Sequence, residues 1–277
     1  MTVKKTSTIA FVGGGNMARS LIGGLIADGY DARNIWVADP NEEQRNALRQ
    51  RFAVHAVTAN QRAIEQAEVV ILAVKPQVLK EVAADLAQAV QQRKPLVISV
   101  AAGIRTASLE TWLGGDLPIV RTMPNTPALV GSGATALYAN EHVSPSQRSL
   151  AESIMRAVGL ALWLDDEAQM DAVTALSGSG PAYFFLVMEA MENAGRELGL
   201  PPETARLLTL QTAFGAAKMA LESSDDTAML RARVTSPGGT TERAVQVLQE
   251  GKIKELFGKA LAAAQQRSIE LAGMLGE

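Results

Sequence analysis

Apolar residues in the first half of the chain come in two arrangements that take turns, short unbroken runs and longer stretches with helical spacing. Ile9-Ala10-Phe11-Val12 is the first run, and it meets the turn Gly13-Gly14-Gly15. Behind it, Met17, Leu21, Ile22, Leu25 and Ile26 share one face of a helix over Asn16 to Asp28, with Gly29 as its stop. Ile35 to Asp39 predicts a second strand, followed by a polar helix from Glu42 to Arg51. A short strand around Val54 and a small helix from Asn60 to Gln66 lead to Val69-Val70-Ile71-Leu72-Ala73-Val74. That run has no polar face, which suits a central parallel strand covered on both sides. Lys75-Pro76 ends it. Helix Gln77 to Gln91, strand Leu96 to Val100, helix Ala107 to Leu113 and strand Pro118 to Arg121 continue the series. Strand Ala134 to Ala139, helix Pro145 to Val158 and strand Leu160 to Leu164 close it. Strict strand–helix alternation of this kind predicts an α/β fold with a Rossmann-type doubly wound sheet over residues 1–164.

After residue 164 the period changes. Ala168 to Leu176, Ala182 to Leu198, Pro202 to Glu222, Thr227 to Val234, Thr241 to Gln249 and Lys252 to Leu275 all read as helices, so 165–277 is expected to be an all-α domain. Ala182 to Met191 is apolar on nearly every face. Such a helix is buried on all sides, and alanine-rich helices allow a second chain to approach closely, so the helical domain is expected to dimerise.

Composition narrows the chemistry. The 277 residues are 47% hydrophobic and 20% charged with a net charge of -3. That balance supplies no basic face for nucleic acid or an anionic membrane and favours a small-molecule partner. No apolar run is long enough to span a bilayer, and the four apolar residues after Lys4 and Lys5 are too few for a secretory segment. The chain has no cysteine, which excludes disulfides, a thiol nucleophile and thiolate metal sites, and points to a cytoplasmic address. His55 and His142 lie outside every motif. They read as surface or packing residues, which argues against a histidine metal site or a Ser-His-Asp hydrolase.

Gly13, Gly15 and Ala18 match G-x-G-x-x-G/A, the turn at which a pyrophosphate meets backbone N–H groups at a helix N-terminus. Asp39 ends the second strand 26 residues beyond Gly13, near the spacing of about 20 at which an acid accepts from ribose hydroxyls. It can equally cap the helix that follows Pro40-Asn41. In a doubly wound sheet the ligand crosses the carboxyl ends of the strands, here Gly13, Asp39, Lys75, Ala101-Ala102-Gly103 and Met123-Pro124-Asn125. Two further motifs interrupt the helical half. Ser177-Gly178-Ser179-Gly180-Pro181 reads as a helix start, with Pro181 in the first turn. Ser236-Pro237-Gly238-Gly239-Thr240-Thr241 exposes backbone N–H groups beside two hydroxyls, a receptor for a carboxylate, with Thr240 as the cap of the next helix.

Several stretches, in order along the chain, resemble the pyrroline-5-carboxylate reductase family. They are Phe11 to Met17, Ala73-Val74-Lys75-Pro76-Gln77, Met123-Pro124-Asn125-Thr126-Pro127, Asp171 to Tyr183 and Ser236 to Thr241. The resemblance implies NADH- or NADPH-dependent reduction of 1-pyrroline-5-carboxylate to L-proline, the last step of proline biosynthesis. It places the cofactor on Val12, Gly13, Gly14, Gly15, Asn16 and Met17, with Asn60 at the adenosine end. Ala73, Val74, Lys75, Pro76 and Ala101 line its further path, and Asn125 lies near the nicotinamide. The substrate carboxylate falls to Gly238, Gly239, Thr240 and Thr241, with the Thr241 hydroxyl on the ring nitrogen as the catalytic group and Glu167 attracting the iminium. Lys75 is either a catalytic acid or a charge beside the phosphates, the second agreeing better with its place after a central strand. A β-hydroxyacid dehydrogenase would carry a lysine on the helix Ala182 to Leu198, which has none, and a protein that only senses the cofactor would not need the Ser236–Thr241 turn. The resemblance also implies a homodimer at least, up to a pentamer of dimers. Asp39-Pro40 departs from the pairs with arginine that meet a 2′-phosphate, so NADH is the expected cofactor unless Arg33 or Arg45 folds inward.

Overall fold

The computed structural model describes residues 6–276, so Lys4 and Lys5 lie outside it. Its first strands and helices are β1 (Ile9–Val12), α1 (Asn16–Ala27), β2 (Ile35–Ala38), α2 (Glu42–Phe52), β3 (His55–Val57) and α3 (Asn60–Ile64). Next come β4 (Val69–Leu72), α4 (Pro76–Arg93), β5 (Leu96–Ser99), α5 (Thr106–Leu113) and β6 (Ile119–Met123). The series ends with β7 (Gly133–Ala139), α6 (Pro145–Arg156), β8 (Gly159–Trp163) and α7 (Gln169–Val173). The strands form one sheet in the order β3-β2-β1-β4-β5-β6-β7-β8. All neighbours run parallel except β6 and β7, where the chain turns back through the 3₁₀ turn Thr126–Val130.

Residues alternate faces along each strand, and both faces are covered except at the edge strand β8, where Leu160 and Leu162 stay exposed. Ile9 and Phe11 of β1, with Ile35, Val37, Val69 and Ile71, pack under Leu21, Ile22 and Leu25 of α1 and Ile154 and Met155 of α6. Ala10 and Val12, with Val70, Leu72 and Val97, face Leu79, Ala83 and Leu86 of α4 and Leu109 and Leu113 of α5. Burying each large side chain contributes about 1.5–3 kcal/mol, which is why the strands read as unbroken apolar runs. His55 stacks on Trp36, with ring centroids 4.3 Å apart. His142 pairs with Glu110 at 3.1 Å on the surface, near Asp116.

The remaining helices are α8 (Gly180–Glu197), α9 (Pro202–Glu222), α10 (Thr227–Arg233), α11 (Thr240–Glu250) and α12 (Ile253–Gly276). By packing, the described residues up to 179 and from 264 onward form one unit, and 180–263 form the other. The change of hydrophobic period at 164/165 therefore precedes the division in packing, because α7 and the end of α12 join the sheet unit. There Ser268 Oγ donates to buried Asp171 at 2.7 Å, and Ser108 Oγ donates to Gly276 O at 3.1 Å. In the helical unit α8 packs on α9, yet Phe184, Phe185 and Leu186 are each about two-thirds exposed (67%, 64% and 66%). The apolar character of α8 is thus not consumed within its own chain. Among the described residues no helix is long and apolar enough to cross a membrane.

Candidate active site

The turn after β1 is shaped by its neighbours. Gly13 has φ +100°, and a Cβ on it would stand 2.6 Å from Ala73 O and 3.0 Å from Val74 Cγ1. Gly13 N donates to Ala38 O at 2.8 Å and Ala73 N to Val12 O at 2.8 Å, so the ends of β1, β2 and β4 are locked together. Gly15 is different. A Cβ there would meet nothing within 4 Å, so no protein atom requires a glycine. Gly15 starts α1 without any side-chain cap, and the first helical bond runs from Arg19 N to Gly15 O. The N–H groups of exposed Asn16, half-buried Met17 and buried Ala18 therefore have no partner inside the helix. Open space before unpaired N–H groups and the positive end of a helix dipole suits a pyrophosphate.

Asp39 is buried and holds this turn from the β2 side. Its Oδ2 accepts from Gly14 N at 2.7 Å and its Oδ1 from Asn41 N at 2.8 Å. The helix cap allowed for Asp39 belongs to Asn41, whose side chain accepts from Gln44 N at 3.1 Å. Arg45 donates to Asp39 O and Pro40 O at 2.7 and 2.8 Å, whereas Arg33 is spent on Asp31 at the surface. That pairing raises the guanidinium pKa of Arg33 and lowers the carboxyl of Asp31, the side-chain hydrogen bond being the main cause of each. Lys75 is the first residue before α4, exposed and with no side-chain partner among the described residues, and Pro76 occupies the first helical position. Asn60 begins α3, and Ala101 is buried after β5 with its N–H on Ser99 Oγ at 3.3 Å. Gly13 to Met17, Asp39, Asn60, Ala73 to Pro76, Ala101 and Asn125 thus all gather at the carboxyl ends of the parallel strands.

Glu167 has partners that the sequence did not disclose. Its carboxylate accepts from Thr106 N at 2.8 Å, from the Thr106 hydroxyl at 2.7 Å, and pairs with Arg121 Nη1 at 2.9 Å. Arg121 is 4% exposed in a buried strand, so burial demanded an acid for it. A charged residue inside a buried strand was the available signal. Glu167 also supplies the anion at the start of α5.

In the helical unit the turn before α11 differs from expectation in one respect. Gly239, not Thr240, is the residue at the cap position, and no side chain caps the helix. Gly238 has φ +72°, Gly239 N donates to Ser236 O at 3.0 Å, and Gly238 N donates to Glu242 Oε2 at 2.7 Å. Thr240 and Thr241 therefore hold the first helical positions with N–H groups that have no partner among the described residues, the first helical bond running from Arg243 N to Gly239 O. Glu242, three residues into the motif's helix, was missed by the sequence reading.

An open glycine cradle at the strand ends of a doubly wound sheet defines a dinucleotide-binding protein. The chain is 56% identical to a pyrroline-5-carboxylate reductase of Pseudomonas aeruginosa over 272 residues, covering 98% of this chain and 99% of that one. It belongs to the pyrroline-5-carboxylate reductase family. The family model for pyrroline-5-carboxylate reductase dimerisation matches residues 167–271, and one described as NADP oxidoreductase, coenzyme F420-dependent, matches 8–103. A pyrroline-5-carboxylate reductase structure from Coxiella burnetii superposes with TM-score 0.93 at 52% identity, covering 96% of this chain and 98% of that one. The Plasmodium falciparum pyrroline carboxylate reductase, solved with NADP bound, gives TM-score 0.85 at 27% identity, covering 97% and 99%. The dimerisation region and the uncovered apolar side chains of α8 agree that the working form is an oligomer.

Proposed function

We propose that this chain reduces 1-pyrroline-5-carboxylate to L-proline with a reduced nicotinamide dinucleotide. Kinship over the full length, spanning both the glycine cradle and the Ser236–Thr241 turn, carries the reading. The cofactor, when bound, supplies the hydride that adds to C5 of the imine while a proton is taken up on nitrogen. Everything else falls to the chain. The N–H groups opening α1 receive the pyrophosphate, and the lone Lys75 ammonium adds a positive charge beside it. The Thr240 and Thr241 N–H groups at the start of α11 receive the substrate carboxylate. The Thr241 hydroxyl hydrogen-bonds the ring nitrogen and orients it for protonation. Glu167 has about one of four acceptor directions left after Thr106 and Arg121, enough for one substrate N–H, while Arg121 offsets much of its charge.

NADH is the cofactor we assign. The buried Asp39 carboxylate retains acceptor capacity for ribose hydroxyls and repels a 2′-phosphate; Arg33 is spent on Asp31, while Arg45 has folded inward with Nη1 on the carbonyls of Asp39 and Pro40 and keeps its charge, which offsets that repulsion in part. Arg19 of α1, whose Nε is buried without a partner among the described residues and whose Nη2 lies 3.5 Å from Gln44, is the second cation, beside Arg45, that a 2′-phosphate would recruit. The assembly we assign is a dimer that can extend to a pentamer of dimers, in the cytoplasm. The deciding assay follows imine consumption by nicotinamide absorbance with NADH and NADPH side by side. Higher kcat/KM with NADH is expected. Equal or better efficiency with NADPH would reject the cofactor preference, and no consumption with either would reject the function.

A further inference from the structure

The motif Ser177 to Pro181 reads in sequence as a helix start, and its structure is more particular. Residues Thr174–Gly178 wind as one wide π-type turn, closed by Ser179 N donating to Thr174 O at 2.9 Å. Turns of this width are rare and gather at functional sites. In an α-helix the Ser177 carbonyl would take its bond from the N–H of residue 181, and Pro181 has none. Asn125, two residues beyond β6, steps in: its Nδ2 donates to Ser177 O and to Ser177 Oγ, each at 3.2 Å. Its Oδ1 accepts from Ala134 N at 2.9 Å. A Cβ on Gly178 would stand 2.4 Å from the methyl of Met123, the last residue of β6, so the turn rests directly on that strand end. All these residues except Pro181 belong to the sheet unit. Both ends of the Asn125 amide are therefore occupied, while the Ser177 hydroxyl accepts one bond and keeps its proton without an acceptor among the described residues.

We propose that Ser177 contacts the cofactor, donating its hydroxyl proton to the carboxamide carbonyl of the nicotinamide, with Asn125 as the residue that positions it. The proposal rests on the nicotinamide-dependent reading above. A dinucleotide crossing the strand ends with its ribose at Asp39, after β2, puts its other half toward β5 and β6. The Asn125–Ser177 bracket stands there. A carboxamide offers a strong acceptor, and the hydroxyl is the unspent donor.

Titration calorimetry on the full-length oligomer tests this with NADH and its reduced thionicotinamide analogue, in which sulfur, a weak acceptor, replaces the carbonyl oxygen. Wild-type protein is expected to bind NADH about fivefold tighter than the analogue, the worth of one neutral hydrogen bond. Ser177→Ala is expected to keep the backbone bond from Asn125 and the wild-type Tm. It is expected to weaken NADH about fivefold and the analogue less than twofold. Equal wild-type affinities, or an equal loss for both cofactors in the variant, would overturn the proposal. Absence of imine reduction by wild-type protein would instead remove the functional reading, and the titrations would still decide whether Ser177 meets the carboxamide.

Discussion

The two helix N-termini assigned to ligands, those of α1 and α11, use one device with different support. Each begins at a glycine, Gly15 or Gly239, without a side-chain cap, leaving N–H groups for an anion. Around α1 the turn is buried and tied to other strands, through Ala38 and Ala73 and by Asp39, which lies 25 residues from Gly14. Around α11 the ties are local: Ser236 holds Gly239 and Glu242 holds Gly238, with the threonines exposed. A cofactor that must be held in one register suits a cradle fixed by the sheet. Both ligands leave at every turnover, the cofactor having given up its hydride, so the contrast lies in the support alone: the proposed substrate receptor takes its shape from the seven consecutive residues Ser236 to Glu242.

Gly13→Ala should break the first side of this comparison most severely. The added methyl meets the Ala73 carbonyl at 2.6 Å in a backbone conformation that L side chains rarely adopt. Cofactor affinity should fall on the order of 300-fold and Tm should drop, read by calorimetry and thermal denaturation. If affinity is kept, the cradle is not rigid. Thr241→Ala addresses the second side: turnover should fall about 100-fold with cofactor Kd unchanged, as measured by steady-state kinetics and titration. Unaltered kcat would take Thr241 out of the mechanism. The mildest case is Glu242→Ala, which removes one local tie. A rise in imine KM of roughly threefold at constant cofactor Kd is expected, with Glu242→Gln restoring it. A loss of cofactor affinity in Glu242→Ala would mean that the two receptors are not supported separately.

The sheet was legible from sequence because its signals are local. Runs such as Val69 to Leu72 are apolar throughout since helices cover both faces, and the glycine turn announces itself by spacing. The site's supports were not legible, because they join distant residues. Arg121 and Glu167 are 46 positions apart, and Asn125 and Ser177 are 52 apart. Single-sequence periodicity carries no term for such pairs. Asp39 was found as a strand-end acid, but its bond to Gly14 depends on how β1 and β2 align, with Val12 beside Ala38. The exposed face of α8 shows the opposite limit. Its apolar pattern was plain, yet what covers it is not within the chain that carries it.

Helix α12 has a consequence for anyone who would exchange parts between relatives. Because residues 264–277 pack with the sheet unit, the helical unit is spliced into its host at both ends and is not appended to one. A graft would need two seams, one at the wide turn before Gly180 and one inside a continuous helix near Ala263. A single cut at Gly180 would also carry away Ser268, and with it the hydroxyl that satisfies the buried Asp171.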